Sequence, residues 1–150
     1  MKAAASVSRH ARRREGARGQ GLVEFALVFP VMMVLLLAIF DVGRLVFAYN
    51  DITNAAKVGA RVAIVDQGGS NARAATIRQA TSLGLTNSDV TVTYLRSDLG
   101  GACTSPLQLG CVARVSVTFD WTAITPIIGN ILGPVSVTTQ TTMPIERVYP

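Results

Sequence analysis

The sequence predicts an α+β fold: a long amino-terminal helix that crosses a membrane and extends outward, a short second helix, and a small antiparallel sheet of about three strands packed on it. Three observations carry this. The apolar run from Leu22 to Phe40 holds one charge, Glu24, and one proline, Pro30. Beyond it, apolar and small residues recur at alternating steps of three and four as far as Ala63, the spacing of a continuous helical seam. After residue 89 the period changes to two, as in strands with one buried side.

The amino-terminal segment is defined by its charge. Lys2, Arg9, Arg12, Arg13, Arg14 and Arg18 stand against Glu15, whereas residues 20–150 carry eight basic and eight acidic side chains. The whole formal charge of +5 therefore lies in the first nineteen residues. A basic chain invites a nucleic-acid reading, because lysine and arginine neutralise phosphates. Here no basic face is left on the rest of the chain, and basic residues beside an apolar span set membrane orientation instead. Nucleic acid is not an expected partner.

Leu22 to Phe40 covers roughly 28 Å as a helix, close to the hydrocarbon thickness of a bilayer. A cleavable secretory signal has an apolar region of about 7 to 15 residues and a small-x-small site after it. The sequence that follows here, "LAIFDVGRLVF", supplies no such site. The segment about 22–40 thus reads as a retained single-pass transmembrane helix, with a cytoplasmic amino terminus and an extracytoplasmic domain. Roughly 85 residues remain for that domain, enough for one small core.

Glu24 is the anomaly within the span. A carboxylate near the middle of a bilayer costs about 2.5 to 3.5 kcal/mol. One reading places it at headgroup level, in the first helical turn, where the helix dipole favours negative charge. A second comes from spacing. Of the glycines at 16, 19 and 21, only Gly19 puts Glu24 fifth and Phe25 sixth after it. With that spacing, "GQGLVEFALVFP" followed by "DVGRLVFAYNDITNAAKVGARVA" resembles the TadE-like family of tight-adherence (Tad, Flp pilus) pseudopilins, within the type IV pilin-like class. The resemblance covers about residues 19–63, including Gly59, Ala60 and Arg61.

The resemblance implies a minor pilin-like subunit for pilus assembly, held in the inner (cytoplasmic) membrane and incorporated into a pilus. Residues 1–19 would be a basic leader that prepilin peptidase, a membrane aspartic peptidase, removes by cutting between Gly19 and Gln20. Glu24 and Phe25 would be the processing and assembly residues, Glu24 pairing with the amino-terminal amine of a neighbouring subunit. Two opposite charges in an apolar bundle are far cheaper together than apart, and such a pair supplies register more than stability. The implied partners are the membrane, the peptidase, other pilin-like subunits and the assembly platform. Pro30, which lacks an amide hydrogen, is expected to kink the helix. The alternative function is an uncleaved single-pass membrane-anchored binding domain.

The long helix is expected over 20–66. Val42, Leu45, Tyr49, Ile52, Ala56, Gly59 and Ala63 form its seam, with Asn50, Asn54, Lys57 and Arg61 on another face. This seam either seats the chain's own outer domain, the preferred reading, or makes an intersubunit coil. "DQGGSN" ends the helix, Gly68 suiting a left-handed C-cap and Ser70 the next N-cap.

The extracytoplasmic α+β domain, 67–150, begins with a helix from Asn71 to Leu83, closed by Gly84, with Ala74, Ile77 and Thr81 inward. Strands follow in "DVTVTYL", "CVARVSVTFD" and "VSVTTQTTM". Their inner residues are Val90, Val92 and Tyr94; Ala113, Val115, Val117 and Phe119; and Val135, Val137, Thr139, Thr141 and Met143. The connection "WTAITPIIGNILGP", 121–134, is apolar for a loop. It reads as a short helix covering the core, with an exposed contact patch as the alternative.

Cys103 and Cys111 are the only cysteines. Outside the cytoplasm such a pair closes a disulfide, worth about 2 to 3 kcal/mol for a loop this short. No metal is expected, since no histidine is near enough to complete a site. His10 is the sole histidine and lies in the expected leader, so the mature chain assembles no Ser-His-Asp or Cys-His nucleophile. Asp66, Asp89, Asp98, Asp120 and Glu146 are scattered and read as solvated surface charges. The paired glycines at 68–69 and 100–101 are turns, not a phosphate loop. No catalytic residue, cofactor or small-molecule substrate is expected.

Overall fold

The computed structural model describes the backbone of residues 11–103 and 107–147 and, from residue 19 onward, their side chains apart from Ile127. Residues 1–10 of the expected leader lie outside the described residues. Helix α1 runs Ala11–Val65 with Pro30 inside it. Helix α2 spans Ser70–Gln79, and a single 3-10 turn, Thr81–Leu83, follows it. Strands β1 (Val90–Arg96) and β2 (Cys111–Trp121), the short helix α3 (Pro126–Leu132) and strand β3 (Val135–Pro144) complete the order. The α+β class read from the sequence is the class observed. By compactness the chain divides between Phe40 and Asp41, and each part is described separately.

The first part is a single helix, α1 as far as Phe40. Leu22, Phe25, Leu27, Leu36, Ile39 and Phe40 are all exposed. The helix is long and apolar enough to cross a membrane, with a mean hydropathy of 2.7 over its most apolar eighteen residues. Pro30 can donate no hydrogen bond to the Ala26 carbonyl, yet the helix continues on both sides of it.

The second part packs residues 41–65 of α1, together with α2, on a three-stranded antiparallel meander of order β1-β2-β3. Val90 pairs with Val117 and Tyr94 with Ala113, while Ala113 pairs with Met143 and Val117 with Thr139. This register aligns the inward residues of all three strands, because side chains on a strand alternate between faces. The core joins Ile52, Ala55, Ala56, Ala60 and Ala63 of α1 to Val90, Ala113, Val115 and Val117 of the sheet, with Ala72 and Ala80 from the α2 region.

The seam of α1 therefore seats the chain's own domain, and its lower half is corrected. Ile52, Ala56, Gly59 and Ala63 are buried as expected, but Val42 and Tyr49 are exposed and Leu45 is half-buried. The buried positions are Asp41, Ala48, Ile52, Ala55, Ala56, Gly59, Ala60 and Ala63. Small residues replaced large ones because the sheet lies close to the helix. A Cβ placed on Gly59 would collide with Thr76 Oγ1 and stand 3.3 Å from both the Ala72 carbonyl and Val115 Cγ1. Asn50, Asn54, Lys57 and Arg61 face solvent as expected.

Helix α2 also departs from expectation. Ser70 is its first residue and not its N-cap; Gly69 holds that position with φ 76°, so Gly69 rather than Gly68 takes the left-handed conformation. The regular helix ends at Gln79 instead of Leu83, although Gly84 does close the segment with φ 65°. Its buried face is Ala72, Ala75 and Thr76, whereas Ala74 and Ile77 are half-buried and Thr81 is exposed. Thr76 tolerates full burial because its hydroxyl donates to the Ala72 carbonyl at 2.8 Å.

Tyr94 fastens the end of α1 to β1, its hydroxyl donating to the carbonyls of Ala63 at 3.3 Å and Asp66 at 3.5 Å. Burial, reinforced by the nearby Asp66 charge, raises the pKa of its phenol. The disulfide is present, joining Cys103 and Cys111 with their Cα atoms 6.1 Å apart. It closes the loop between β1 and β2, beside the Leu95–Ala102 bridge.

Candidate functional site

Two places draw attention: the start of the apolar helix and the turn that begins the second part. At the first, Gly19, Gln20, Val23, Glu24 and Leu27 line a shallow face of α1. Their spacing of three to four residues brings them to one side of a helix. None is buried. A Cβ on Gly19 or Gly21 would meet nothing within 4 Å. Phe25 lies one residue round from Glu24 and stacks on Phe29, with ring centroids 5.4 Å apart and planes tilted by 31°. The structure thus brings Gly19, Gln20 and Glu24 together on one face and sets Phe25 and Pro30 on the same exposed helix. Cys103 and Cys111 belong to the other part of the chain.

The second place was not legible as a site in the sequence. Asp41, which directly follows the apolar run, is only 2% exposed. Its carboxylate accepts the backbone N–H of Ile124 at 3.1 Å and of Thr125 at 3.0 Å. Thr125 is the N-cap of α3, whose first residue is Pro126, so Asp41 satisfies the backbone donors of the turn that leads into the short helix. Hydrogen bonding from Thr125 lowers the Asp41 pKa, helped by the two backbone amides and Arg44 and opposed by burial. Arg44, one turn along α1, stands 3.5 Å away and is 40% exposed, so this pair adds little beyond orientation.

The predicted covering helix at 121–134 is α3, and it covers less than expected. Trp121 and Thr125 are buried, yet Ile124, Ile131 and Leu132 are exposed. The signals that point to this turn are a lone aspartate closing an apolar run, with arginine three residues on, and the "TP" start of a helix 84 residues later.

The scattered carboxylates are mostly local braces. Asp89 accepts the backbone N–H and hydroxyl of Thr86, each at 2.7 Å, and these bonds lower its pKa. Asp98 accepts the Gly100 N–H at 3.0 Å, and Asp120 accepts the Ser136 hydroxyl at 2.5 Å. Asp66 is the exception to the surface reading: its Oδ2 is buried without a partner. Among the described residues, no three His, Cys, Asp or Glu side chains gather as a metal site would require.

Comparison with known proteins bears on the first place. Residues 19–61 match the family model described as TadE-like protein. The match begins at Gly19, contains Glu24, Phe25 and Pro30, and ends at Arg61 beside the close-packed Gly59 and Ala60. It bears out, over that segment, the resemblance seen in the sequence. No curated protein and no solved structure matches the chain.

Proposed function

We propose that this TadE-like chain is a minor pilin-like subunit of a tight-adherence pilus, made as a precursor and cut by prepilin peptidase between Gly19 and Gln20. The observation that carries the reading is the family match over 19–61, which takes in the glycine, glutamate and phenylalanine of the processing motif. The chain would insert with its amino terminus in the cytoplasm, lose its basic leader, and pack residues 22–40 beside other pilin-like helices. Its folded outer part would contact the pilus or the assembly platform. The reading gives the chain no catalysis of its own; Gly19 and Glu24 act as parts of a substrate and then of an assembly contact.

The local structure supports each role. The Gly19–Gln20 bond lies within α1, so the peptidase requires that turn to unwind. Each of Gly16, Gly19 and Gly21 lowers helix propensity by about 1 kcal/mol relative to alanine, which makes unwinding cheapest there. Glu24 has no partner within its own chain among the described hydrogen bonds, and it lies one helical turn from Gln20. A carboxylate so placed in an apolar helix is stabilised by a cation brought by another molecule, and the new amine at Gln20 of a neighbouring subunit is such a cation.

The test is the mass and terminal sequence of the membrane-extracted protein, from cells with and without the peptidase. A start at Gln20 that depends on the peptidase is expected. Gly19→Leu should abolish the cut, and because a side chain at 19 meets open space, that loss reports recognition and not misfolding. Glu24→Gln should leave the cut intact and remove the subunit from assembled pili. An intact Met1 in peptidase-competent cells would leave an uncleaved membrane-anchored binding domain as the reading.

A further inference from the structure

The two edges of the sheet differ, β1 being capped and β3 open. We propose that the free edge of β3 takes up an extended strand from a different protein, added antiparallel as the fourth strand of the sheet. The incoming strand carries apolar side chains at alternate positions and uncharged polar ones between them. Every residue involved lies in the second part, Asp41–Pro150, so the contact depends on neither the span nor removal of the leader.

Hydrogen bonds on the far side of β1 fix which way the backbone groups turn. The Val90 carbonyl accepts Arg73 Nε at 3.1 Å, and the Tyr94 carbonyl accepts the Cys103 N–H at 2.9 Å. The Arg96 N–H donates to the Gly101 carbonyl at 2.9 Å. These groups face away from β2, and the Cys103–Cys111 disulfide staples the segment 101–103 against them. The β1 edge is therefore capped. Backbone direction alternates along an antiparallel ladder, and the registers Leu95↔Val112 and Ala113↔Met143 carry that alternation across β2. On β3 the N–H and C=O groups of Ser136, Thr138, Gln140 and Thr142 then point out from the edge. Among the described residues, none of these groups meets a backbone partner.

The open edge lacks the devices that keep strands apart. β3 runs ten residues, Val135–Pro144, with no charge and no proline before its last position. It pairs with β2 from Trp121↔Val135 to Val112↔Pro144 without a bulge. Natural sheets blunt open edges with charge, proline, bulges or a covering segment, as happens at β1. Only another extended strand offers N–H and C=O groups in a matching row; a helix uses its own internally, and lipid tails have none. The surroundings set the side chains. Gly59 of α1 lies over Val115 of β2, while Thr53 Oγ1 stands 3.4 Å from Thr139 Oγ1 of β3. Val42, Val46 and Tyr49 share the Thr53 side of the helix, which overhangs the edge, and all three are exposed. Below them Val137 and Met143 are only half-buried. An added strand meets these apolar groups on its inward face and the exposed Thr138, Gln140 and Thr142 on its outward face. A charge on that strand would find no counter-charge on β3. A second copy of β3 fits less well, because its own middle inward residues are Thr139 and Thr141.

The experiment uses the full chain in detergent micelles and a fluorescent synthetic strand, Thr-Val-Thr-Val-Thr-Val-Thr-Val-Thr, N-methylated at its valines. In an antiparallel pair with the threonines on the solvent side, the valine amides face away from β3, so methylation stops the peptide stacking on itself. A second peptide, methylated at the threonines instead, blocks the pairing edge. Fluorescence anisotropy reads binding, and hydrogen exchange reads the amides of Thr138 and Gln140. Gln140→Pro removes an outward N–H and leaves the ladder with β2 complete. Val46→Lys removes part of the apolar flank at an exposed position on α1.

The expected result is saturable binding of the valine-methylated peptide, slowed exchange at Thr138 and Gln140, and no binding of the threonine-methylated one. Gln140→Pro should weaken binding by about tenfold or more, with an unchanged melting temperature showing that the variant is folded. Val46→Lys should weaken it as well, and decides alone if Gln140→Pro does not fold. Anisotropy no higher than with empty micelles overturns the proposal, as does binding that neither substitution weakens. Preference for the threonine-methylated peptide would mean parallel addition and would overturn the antiparallel pairing. Amides at 138 and 140 that are protected in the chain alone, and more so at higher concentration, would put a second copy on the edge. That outcome would overturn a different protein as the occupant.

Discussion

One helix serves the two parts of this molecule under opposite packing rules. Before Phe40 it carries large apolar side chains, Leu22, Phe25, Leu36 and Ile39 among them, all turned outward. Beyond Asp41 the buried positions are mostly alanine and glycine, and large residues such as Val42, Val46 and Phe47 stay exposed. Hydrophobicity alone does not separate the two; side-chain size does. Large groups suit a surrounding solvent of lipid tails, which needs no shape match. A sheet at close range needs small ones, because folded interiors are packed as densely as organic crystals.

The contrast can be broken most sharply at Gly59. Gly59→Leu forces a side chain onto Thr76 and Val115 and should destabilise the outer part by about 3 kcal/mol or more, read by chemical denaturation. Membrane extraction of the same variant should be unchanged, because the substitution leaves the apolar run at 22–40 as it is. A shared loss of both properties would mean that the two parts are not independent.

The disulfide comes next. Replacing Cys103 and Cys111 together by serine should cost the outer part about 2 to 3 kcal/mol through loss of loop closure, again without effect on membrane anchoring. Thermal unfolding with and without reductant checks it on the unaltered chain.

Acid sharpens the comparison at the junction. Asp41 and Asp89 have pKa values lowered from the ordinary 3.8. A lowered carboxylate contributes stability that is present above the unfolded-state pKa and lost as pH falls through the folded value. The outer part should hold a constant melting temperature from pH 7 to about 5 and lose stability below about pH 4. Asp41→Asn should flatten part of that acid loss and make the 121–134 segment more open to proteolysis at neutral pH.

The smallest effect is expected at Leu36→Ala. Leu36 is exposed, so the stability of residues 41–147 should change by less than about 0.5 kcal/mol.

Much of the architecture was legible because period and length are properties of the chain alone. The apolar run, the two-residue alternation of β1, β2 and β3, and the cysteine pair each led to the element observed. What escaped depends on partners far away in sequence. A heptad spacing runs through Val42 and Tyr49, yet burial follows whichever face the sheet approaches and selects Ala48, Ala55 and Ala60. Thr76 looked polar and is buried, since its own helix accepts its hydroxyl. Asp41 looked like a boundary charge, and its two amide partners lie 83 and 84 residues away. Gly19, Glu24 and Phe25 stand in a short-range spacing that can be read without any fold.

The route of the core through the chain bears on biogenesis. Ala48 belongs to the interior, and so does Ile145, whose amide closes onto the Cys111 carbonyl at 2.8 Å. The interior therefore remains open until residue 145 has been made, long after the apolar run at 22–40. During that interval the valine- and threonine-rich strands emerge without the helix face complete around them, a period in which unpaired strands are prone to associate. A nascent chain whose core closes so late gains folded yield from whatever shields its strands during that interval.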